Sequence, residues 1–165
     1  MTKKTIYLGA DHGGFELKEK VKVLLEEQGY NIEDLGAHSL VLEDDYPDYA
    51  VAVANKVINK ASVVESSFNG GTGGVSVGIL VCRSGGGMVV AANKVKGIRA
   101  VSVHNKESAV HAKEHNDANI ISISADWTTE SQVKEIILAY LETNFSGEER
   151  HVRRINKIKE FENTL

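Results

Sequence analysis

The fold is decided by one segment, Val77-Gly-Ile-Leu-Val-Cys-Arg-Ser-Gly-Gly-Gly-Met88. An apolar run ends at Cys82, and a serine, three glycines and a second apolar run follow it after Arg83. This order is typical of a buried parallel strand that turns sharply into a helix. Glycines let the backbone approach a ligand closely, and a helix that begins there directs unpaired N–H groups toward the same place. The segment therefore predicts an α/β fold, with either a purely structural turn or an anion site after the strand.

Cys82 is the one cysteine of the chain. The predicted strand would deliver it to the carboxyl edge of the sheet, where open α/β folds bind their ligands. The neighbouring Arg83 would favour the reactive thiolate form of the side chain. Most buried thiols are merely small apolar fillers, so the sequence leaves both interpretations open.

The bulk composition is that of one ordinary globular domain. The chain has 165 residues, of which 42% are hydrophobic and 25% charged, and we expect a single domain over residues 1–165. Its net charge of −4 offers no general basic surface to nucleic acid. No apolar signal segment or membrane-spanning run is visible, and a lone cysteine cannot form an internal disulfide. We therefore expect a cytoplasmic protein that binds neither nucleic acid nor membranes.

Strand-like and helix-like patterns alternate along the chain. The strands are expected at residues 5–9, 30–35, 77–82, 98–103 and 119–123, and the intervening helices at 15–29, 49–59, 88–92, 106–115 and 129–143. This alternation predicts a three-layer, Rossmann-like fold: a doubly wound parallel sheet of about five strands with helices on both faces.

Two segments depart from this alternation. Residues 60–74 are rich in glycine and serine but precede a strand, whereas a phosphate-binding loop follows a strand and opens a helix. We interpret them as a surface insertion rather than a binding loop. Residues 147–165 are highly charged and predict a C-terminal helix that packs on a neighbouring helix or on a partner subunit.

Several polar residues are placed to meet at one edge of the sheet. Asp11 and His12 follow the first strand, so they should lie near the turn 82–87. Taken alone, an Asp and a His in a glycine-bounded turn are more typical of a helix cap and a loop imidazole. His115 and Asn116 are likewise typical of a helix C-terminus. The spacing of Cys and His offers no metal-ligand cluster, and we expect no metal.

Six separated blocks resemble the ribose-5-phosphate isomerase type B family, which also includes galactose-6-phosphate isomerase. They follow one another in the family's order between Ile6 and Ile158, which makes the resemblance more specific than any single glycine motif. The blocks are GADHGGFELK at 9–18, DYPD at 45–48, GILVC at 78–82, AANKVKGIRA at 91–100, HNDAN at 115–119 and GEERH at 147–151.

The resemblance implies an aldose–ketose isomerase that interconverts ribose 5-phosphate and ribulose 5-phosphate through a cis-enediolate, a reaction of the pentose phosphate pathway. It implies no cofactor, and a homodimer or homotetramer whose site is shared between subunits. Cys82 matches the family's base, Ser84 a position that holds Thr or Ser, and His115 the residue that assists ring opening. The matching substrate-binding positions are Gly85, Gly86 and Gly87 for the anion hole, Asp11, Tyr46 and Asn116 for the sugar hydroxyls, and His12, Arg150 and Arg154 for the phosphate, with His151 beside them.

The chemistry of these residues agrees with that reaction. Removing a proton next to a carbonyl requires a base and donors aimed at the oxygen that gains charge. Cys82 and the N–H groups after it could supply both. Arginines suit a terminal phosphate, and this acidic chain concentrates them at 150–154.

Three positions depart from the family. Arg83 stands where the family usually has glycine, and Asp126 where some members have a phosphate-contacting arginine. We expect that Arg83 either contacts the phosphate in place of that arginine or pairs with Asp126. The insertion at 60–74 is the third departure. These differences bear on the identity of the substrate more than on the type of reaction.

Three alternatives stay open. The substrate could be a hexose 6-phosphate, such as allose or galactose 6-phosphate. The chain could also be a non-catalytic, sugar-phosphate-binding regulatory domain on the same fold, although such a domain has no use for a thiolate. A dinucleotide-binding oxidoreductase is disfavoured because the turn at 9–14 lacks the third glycine, and because Asp11 and His12 occupy the space of a pyrophosphate.

Overall fold

The computed structural model describes residues 4–64 and 76–165, in which five strands alternate with six helices. The strands are β1 (Thr5–Ala10), β2 (Asn31–Asp34), β3 (Ser76–Cys82), β4 (Ala100–Val103) and β5 (Ile120–Ser124). The helices are α1 (Phe15–Glu27), α2 (Tyr46–Val64), α3 (Gly86–Ala92), α4 (Lys106–Asn116), α5 (Glu130–Glu142) and α6 (Glu149–Glu162). The predicted α/β fold is confirmed, and so is the predicted order of strands and helices.

Helix α2 is longer than the sequence predicted. It begins at Tyr46 rather than Tyr49, with Pro47 in its first turn, where the missing backbone N–H removes no helical hydrogen bond. It continues through Val64. The first five residues of the expected insertion at 60–74 are therefore helical, and the rest of that segment lies outside the described residues.

All five strands are parallel and lie in the order β2-β1-β3-β5-β4. The register aligns Ala10 with Val81 and Cys82 with Ser124. The carboxyl ends of β1, β3 and β5 therefore meet at one edge of the sheet, and the loops that follow these strands share that edge.

Each face of the sheet carries its own apolar layer. Ile6, Ile79 and Ile121 project into the layer formed with α1, α4 and α5. Tyr7 and Leu80 project the other way, together with Cys82, toward α2 and α3. Burying one such large side chain contributes about 1.5–3 kcal/mol, so both layers hold the helices to the sheet and fix the edge at which β3 ends.

Helix α6 packs against the end of α4. Its residues His151 and Ile155 are buried, whereas Ile158 and Phe161 are exposed. The predicted C-terminal helix is thus present and contacts a neighbouring helix. No helix in the described ranges is both long enough and apolar enough to span a bilayer.

Candidate active site

The centre of the candidate site is the turn that follows Cys82. The thiol is 5% exposed and lies at the last residue of β3, and the Gly85 N–H donates a hydrogen bond to its sulfur over 3.1 Å. Gly85 has a φ of +79°, a left-handed conformation that residues with a Cβ rarely adopt. Arg83, Ser84 and Gly86 are exposed. The sulfur therefore lies against the inner side of a turn whose outer side is open.

Strand β5 and the two residues that follow it hydrogen-bond to the buried side of this turn. The Ala125 N–H donates to the Cys82 carbonyl over 2.9 Å, and the Asp126 N–H donates to the Arg83 carbonyl over 3.1 Å. Two buried hydroxyls add to these bonds: Ser124 Oγ donates to the Arg83 carbonyl over 2.5 Å, and Ser122 Oγ donates to the Gly85 carbonyl over 2.9 Å.

Sequence reasoning missed both serines. They alternate with isoleucines in the buried strand β5, and hydroxyls at successive positions on one face of a central strand need hydrogen-bond partners. That alternation was the signal that could have found them.

Tyr46 contacts the same turn from the first turn of α2. A Cβ atom added to Gly87 would lie 2.9 Å from Tyr46 Cζ, so the ring lies directly over the Gly87 backbone. The Tyr46 side chain is 39% exposed. The structure thus places Tyr46, Gly85, Gly86 and Gly87 side by side, with the tyrosine at the open side of the turn.

Asp11 lies at the neighbouring end of β1. Its Oδ1 accepts a hydrogen bond from the Gly14 N–H over 3.0 Å, so the side chain caps the loop that leads into α1. Burial raises the pKa of Asp11, and the nearby negative charge of Asp44 raises it further. Asp11 thus holds the turn before α1 and does not cap the helix itself, whose N-cap residue Gly14 has no side-chain cap hydrogen bond. The carboxyl group lies at the same sheet edge as Cys82.

His12 is held by a residue that the sequence analysis did not identify. Asp44 Oδ1 accepts a hydrogen bond from the His12 backbone N–H over 3.0 Å and lies 2.7 Å from His12 Nδ1. Burial opposes ionisation of Asp44, but the hydrogen bonds from His12 outweigh it and lower the pKa of this carboxyl group. An ionised carboxylate only accepts hydrogen bonds, so this contact suits the imidazole tautomer with its proton on Nδ1. Asp44 stands in the acidic run Glu43-Asp44-Asp45, and nothing in the sequence distinguishes it from its neighbours.

The Arg83 side chain packs against Gly13 and forms no ion pair with Asp126. A Cβ atom added to Gly13 would lie 2.4 Å from Arg83 Cγ, so the arginine stem crosses the first turn at Gly13. There it lines a cavity of about 520 Å³ together with His12 and Asp126. In the described part of the chain no ion pair within 4.0 Å involves Arg83, and it meets Asp126 only through the backbone. The expected pairing of Arg83 with Asp126 is therefore not formed.

A second cluster of polar residues surrounds the end of α4. The rings of His111 and His115 are 4.0 Å apart, and those of His115 and His151 are stacked at 4.4 Å. These three histidines line a cavity of about 370 Å³ with Asn116 and Arg154. The cavity is rich in imidazole and guanidinium groups, which suits an anionic ligand.

His151 is the most enclosed member of this second cluster. Its Nδ1 lies 2.7 Å from Ser146 Oγ, and its side chain is 3% exposed. Burial lowers the pKa of His151, and the neighbouring His115, Arg150 and Arg154 lower it further. Arg150 itself is exposed, pairs with Glu148 over 2.8 Å and does not line the cavity.

Within one chain the two clusters lie at opposite ends of the strands. The Cys82 cluster is at the carboxyl ends, and the histidine cluster is at the amino ends. Ala100, the first residue of β4, lines the second cavity. In the sheet register it pairs with Ile120, the first residue of β5. Cys82 pairs with Ser124 in the register. Ser124 is four residues beyond Ile120 on β5, a distance of about 13 Å along the strand. A single chain therefore brings Asp11, His12 and Tyr46 to Cys82, but it does not bring His115 or Arg154 there.

Comparisons with known proteins identify the family of the chain. The family model described as Ribose/Galactose Isomerase matches residues 6–158. A probable ribose-5-phosphate isomerase B from Mycoplasma genitalium is 36% identical over 95% of each chain, and a ribose-5-phosphate isomerase B from Mycolicibacterium paratuberculosis is 36% identical over 96% of this chain and 92% of its own length. The crystal structure of ribose-5-phosphate isomerase B from Mycoplasma genitalium with bound ribulose-5-phosphate superposes with a TM-score of 0.87 at 35% identity, over the full length of both chains.

The matched segment begins in β1 and ends in α6, so it includes both clusters. The chain belongs to the ribose/galactose isomerase family.

Proposed function

We propose that this protein is an aldose–ketose isomerase that interconverts ribose 5-phosphate and ribulose 5-phosphate in the cytoplasm. The observation that carries the proposal is the contact between the Gly85 N–H and Cys82 Sγ at the carboxyl edge of the sheet. This bond fixes the sulfur beside the glycine N–H groups of the turn, so a base and the donors for a negative oxygen lie together. The reduced thiol that this chemistry needs persists in the cytoplasm.

The proposed reaction moves hydrogen only as protons and therefore needs no cofactor. In the open-chain aldose, the Cys82 thiolate removes the proton from C2, and the electron pair moves to the C1 carbonyl oxygen to give the cis-enediolate. Cys82 then returns the proton to C1, while a proton passes from the C2 oxygen to the C1 oxygen with the help of Ser84. The N–H groups of the turn would stabilise the negative oxygen. The resemblance assigns this anion hole to Gly85, Gly86 and Gly87, and the Gly85 N–H already donates to Cys82 Sγ.

We further propose that the active unit is a homodimer. The complete reaction also needs ring opening, which the resemblance assigns to His115, and phosphate binding, which it assigns to His12, Arg150 and Arg154 with His151 beside them. Since His115 and Arg154 lie at the opposite end of the strands from Cys82, two copies that exchange these clusters would complete two sites. Asn116 lies on the His115 side of the proposed site, and Asp11 and Tyr46 lie on the Cys82 side, where they would bind sugar hydroxyls.

Arg83 is proposed as an additional phosphate ligand. Its guanidinium group is exposed, is next in sequence to the proposed base and shares a cavity with His12. The described residues offer it no carboxylate partner within 4.0 Å, so its charge is available to a ligand. A planar guanidinium binds a phosphate through two parallel hydrogen bonds.

Hydrogen exchange with solvent tests the central proposal. When the protein is incubated with ribose 5-phosphate in deuterated water, NMR should show ribulose 5-phosphate labelled at C1 and recovered aldose labelled at C2. Cys82→Ala should abolish both signals while the variant still binds the sugar phosphate in calorimetry and keeps the wild-type melting temperature. Exchange that persists in Cys82→Ala would exclude this residue as the base, and binding without exchange by the wild type would instead indicate a regulatory domain.

The length of the sugar is tested separately. Values of kcat/KM for ribose 5-phosphate, allose 6-phosphate and galactose 6-phosphate should be highest for the five-carbon substrate. A higher value for either six-carbon sugar would overturn the substrate assignment and leave the proposed proton transfer intact.

A further inference from the structure

We infer that Ser122 and Ser124 are positioning residues that aim the N–H groups of the Cys82 turn toward the enediolate oxygen. This inference rests on the proposed function, because it concerns the donors that would stabilise the intermediate. It adds two residues to the machinery that neither the family resemblance nor the motifs single out.

The two hydroxyls are fully buried beneath the turn. Both serines are 0% exposed and lie two residues apart on β5, so they project from the same face of the sheet. Ser122 Oγ donates to the Gly85 carbonyl over 2.9 Å, and Ser124 Oγ donates to the Arg83 carbonyl over 2.5 Å. Ser124 Oγ also accepts a hydrogen bond from the Trp127 N–H over 3.1 Å, which fixes the direction of its own hydroxyl.

Fixing a carbonyl also fixes the N–H group of the same peptide unit. In a planar trans peptide, the C=O of one residue and the N–H of the next point in opposite directions. The Arg83 carbonyl accepts a hydrogen bond from Ser124, so the Ser84 N–H of the same peptide unit points away from β5. The Gly85 carbonyl accepts one from Ser122, so the Gly86 N–H also points away from β5. Ser84 and Gly86 are exposed on the open side of the turn. The Gly86 N–H donates to Ser84 Oγ over 3.4 Å, so a ligand oxygen must take the place of this hydroxyl at that donor.

The turn would otherwise be easily reoriented. Three glycines at 85–87 give its backbone many accessible conformations, and a peptide unit between flexible residues can rotate as a whole. The two residues that follow β5 hold the first two carbonyls, through Ala125 N–H on Cys82 and Asp126 N–H on Arg83. The Gly85 carbonyl also accepts a longer hydrogen bond, over 3.4 Å, from the Val89 N–H of α3. Ser122 is the side-chain tie from β5 to the glycine part of the turn, and an oxyanion site depends on donors that are oriented before the charge develops.

The test removes one hydroxyl at a time in Ser122→Ala and Ser124→Ala. Direct loss of an oxyanion donor costs about 100-fold or more in kcat, so loss of a residue that orients one should lower kcat by about 10-fold. KM for ribose 5-phosphate should change less than 2-fold, because the phosphate and hydroxyl contacts are made elsewhere. A phosphorylated hydroxamate that mimics the enediolate should lose about the same 10-fold in affinity, whereas a phosphorylated sugar alcohol, which has no oxyanion, should not.

Ser102→Ala is the matched control. Ser102 lies opposite Ser122 on β4, and its Oγ is buried without a hydrogen-bond partner among the described residues. This hydroxyl contacts the turn, since a Cβ atom added to Gly85 would lie 3.0 Å from Ser102 Oγ, but it makes no hydrogen bond to the turn. Its removal keeps every hydrogen bond of the turn and should leave kcat and hydroxamate affinity at their wild-type values. Ser122→Cys, which keeps a weak donor in the same place, should give a kcat between those of the wild type and Ser122→Ala.

The outcomes separate this inference from the proposed function. If the wild type does not isomerise ribose 5-phosphate, the proposed function fails. If the wild type is active and both alanine variants keep its kcat and its hydroxamate affinity, the positioning role is wrong. If kcat falls equally in Ser102→Ala, or if the sugar alcohol loses as much affinity as the hydroxamate, the serines support the sheet in general and do not aim the turn.

Discussion

The N–H of Gly85 donates to the sulfur of Cys82 from a residue whose φ is +79°, so the hydrogen bond and the left-handed turn depend on each other. A residue with a Cβ loses about 1–2 kcal/mol in this conformation. The added Cβ would also lie 3.0 Å from Ser102 Oγ. A side chain at position 85 would therefore either destabilise the folded protein or rotate the turn, and rotation would break the hydrogen bond from the Gly85 N–H to the Cys82 sulfur.

Gly85→Ala should therefore lower both the free energy of unfolding, by about 1–2 kcal/mol, and kcat. Urea denaturation and steady-state kinetics measure the two effects. Gly147→Ala is the matched control, because Gly147 is also left-handed, with a φ of +66°, but has no atom within 4 Å of the added Cβ. The control should lose similar stability and keep its kcat. Equal losses of kcat in both variants would show that the activity depends on global stability and not on the turn.

Gly13 and Arg83 should show strong thermodynamic coupling. A Cβ atom at position 13 would overlap Arg83 Cγ at 2.4 Å, and overpacking of this kind costs about 1–3 kcal/mol. Gly13→Ala should therefore destabilise the wild type by roughly that amount and raise KM by displacing the guanidinium group.

The coupling is measured by a double-mutant cycle with Arg83→Gly. In the Arg83→Gly background, Gly13→Ala should cost little stability and should not raise KM further. A cost of Gly13→Ala that is the same in both backgrounds would contradict the contact. An unchanged KM in Arg83→Gly alone would exclude the proposed phosphate contact.

The residues near each strand end could be predicted because local patterns specify them. The apolar run of β3 followed by glycines places Cys82 at a sheet edge, and the run of β1 places Asp11 at the same edge. The strand order β2-β1-β3-β5-β4 follows from how five strands and two helical layers pack together, which no single segment encodes. The opposite placement of His115 and Cys82 depends on that packing, and it was not visible in the sequence.

The missed contacts all join residues that are distant in the chain. Asp44 meets His12 across 32 positions, and Ser122 meets Gly85 across 37. Of the two roles expected for Arg83, the pairing with Asp126 is not formed, because opposite charges alone do not fix where a side chain lies. The arginine stem instead occupies the space left by Gly13.

Asp44 should control the affinity of the site for the sugar phosphate. Its Oδ1 is within hydrogen-bond distance of both the backbone N–H and Nδ1 of His12, and hydrogen bonds to a charged group contribute about 1.5–3 kcal/mol. Asp44→Asn should release the imidazole and raise KM for ribose 5-phosphate by about 10-fold, with a smaller effect on kcat. Asp45→Asn changes the charge of an exposed neighbour and serves as the control. Equal KM values for the two variants would show that the net charge matters and that the contact with His12 does not.

His151 should make the stability of the protein depend on pH below about 6.5. Burial lowers its pKa in the folded state below the ordinary value of 6.5. Above that value the imidazole is neutral in both states and adds no penalty. As the pH falls through 6.5 the unfolded chain takes up the proton first, so the free energy of unfolding decreases until the lowered pKa of the folded state is reached.

His151→Asn should therefore flatten the stability profile in this window, even though loss of the contact with Ser146 makes the variant less stable at pH 7.5. Urea denaturation at pH 7.5, 6.5, 5.5 and 5.0 and at one fixed protein concentration measures the slope, since subunit association would otherwise shift it. His38→Asn removes an exposed histidine and should keep the wild-type slope. A His151→Asn profile as steep as that of His38→Asn would mean that His151 is protonated as easily in the folded protein as in the unfolded chain.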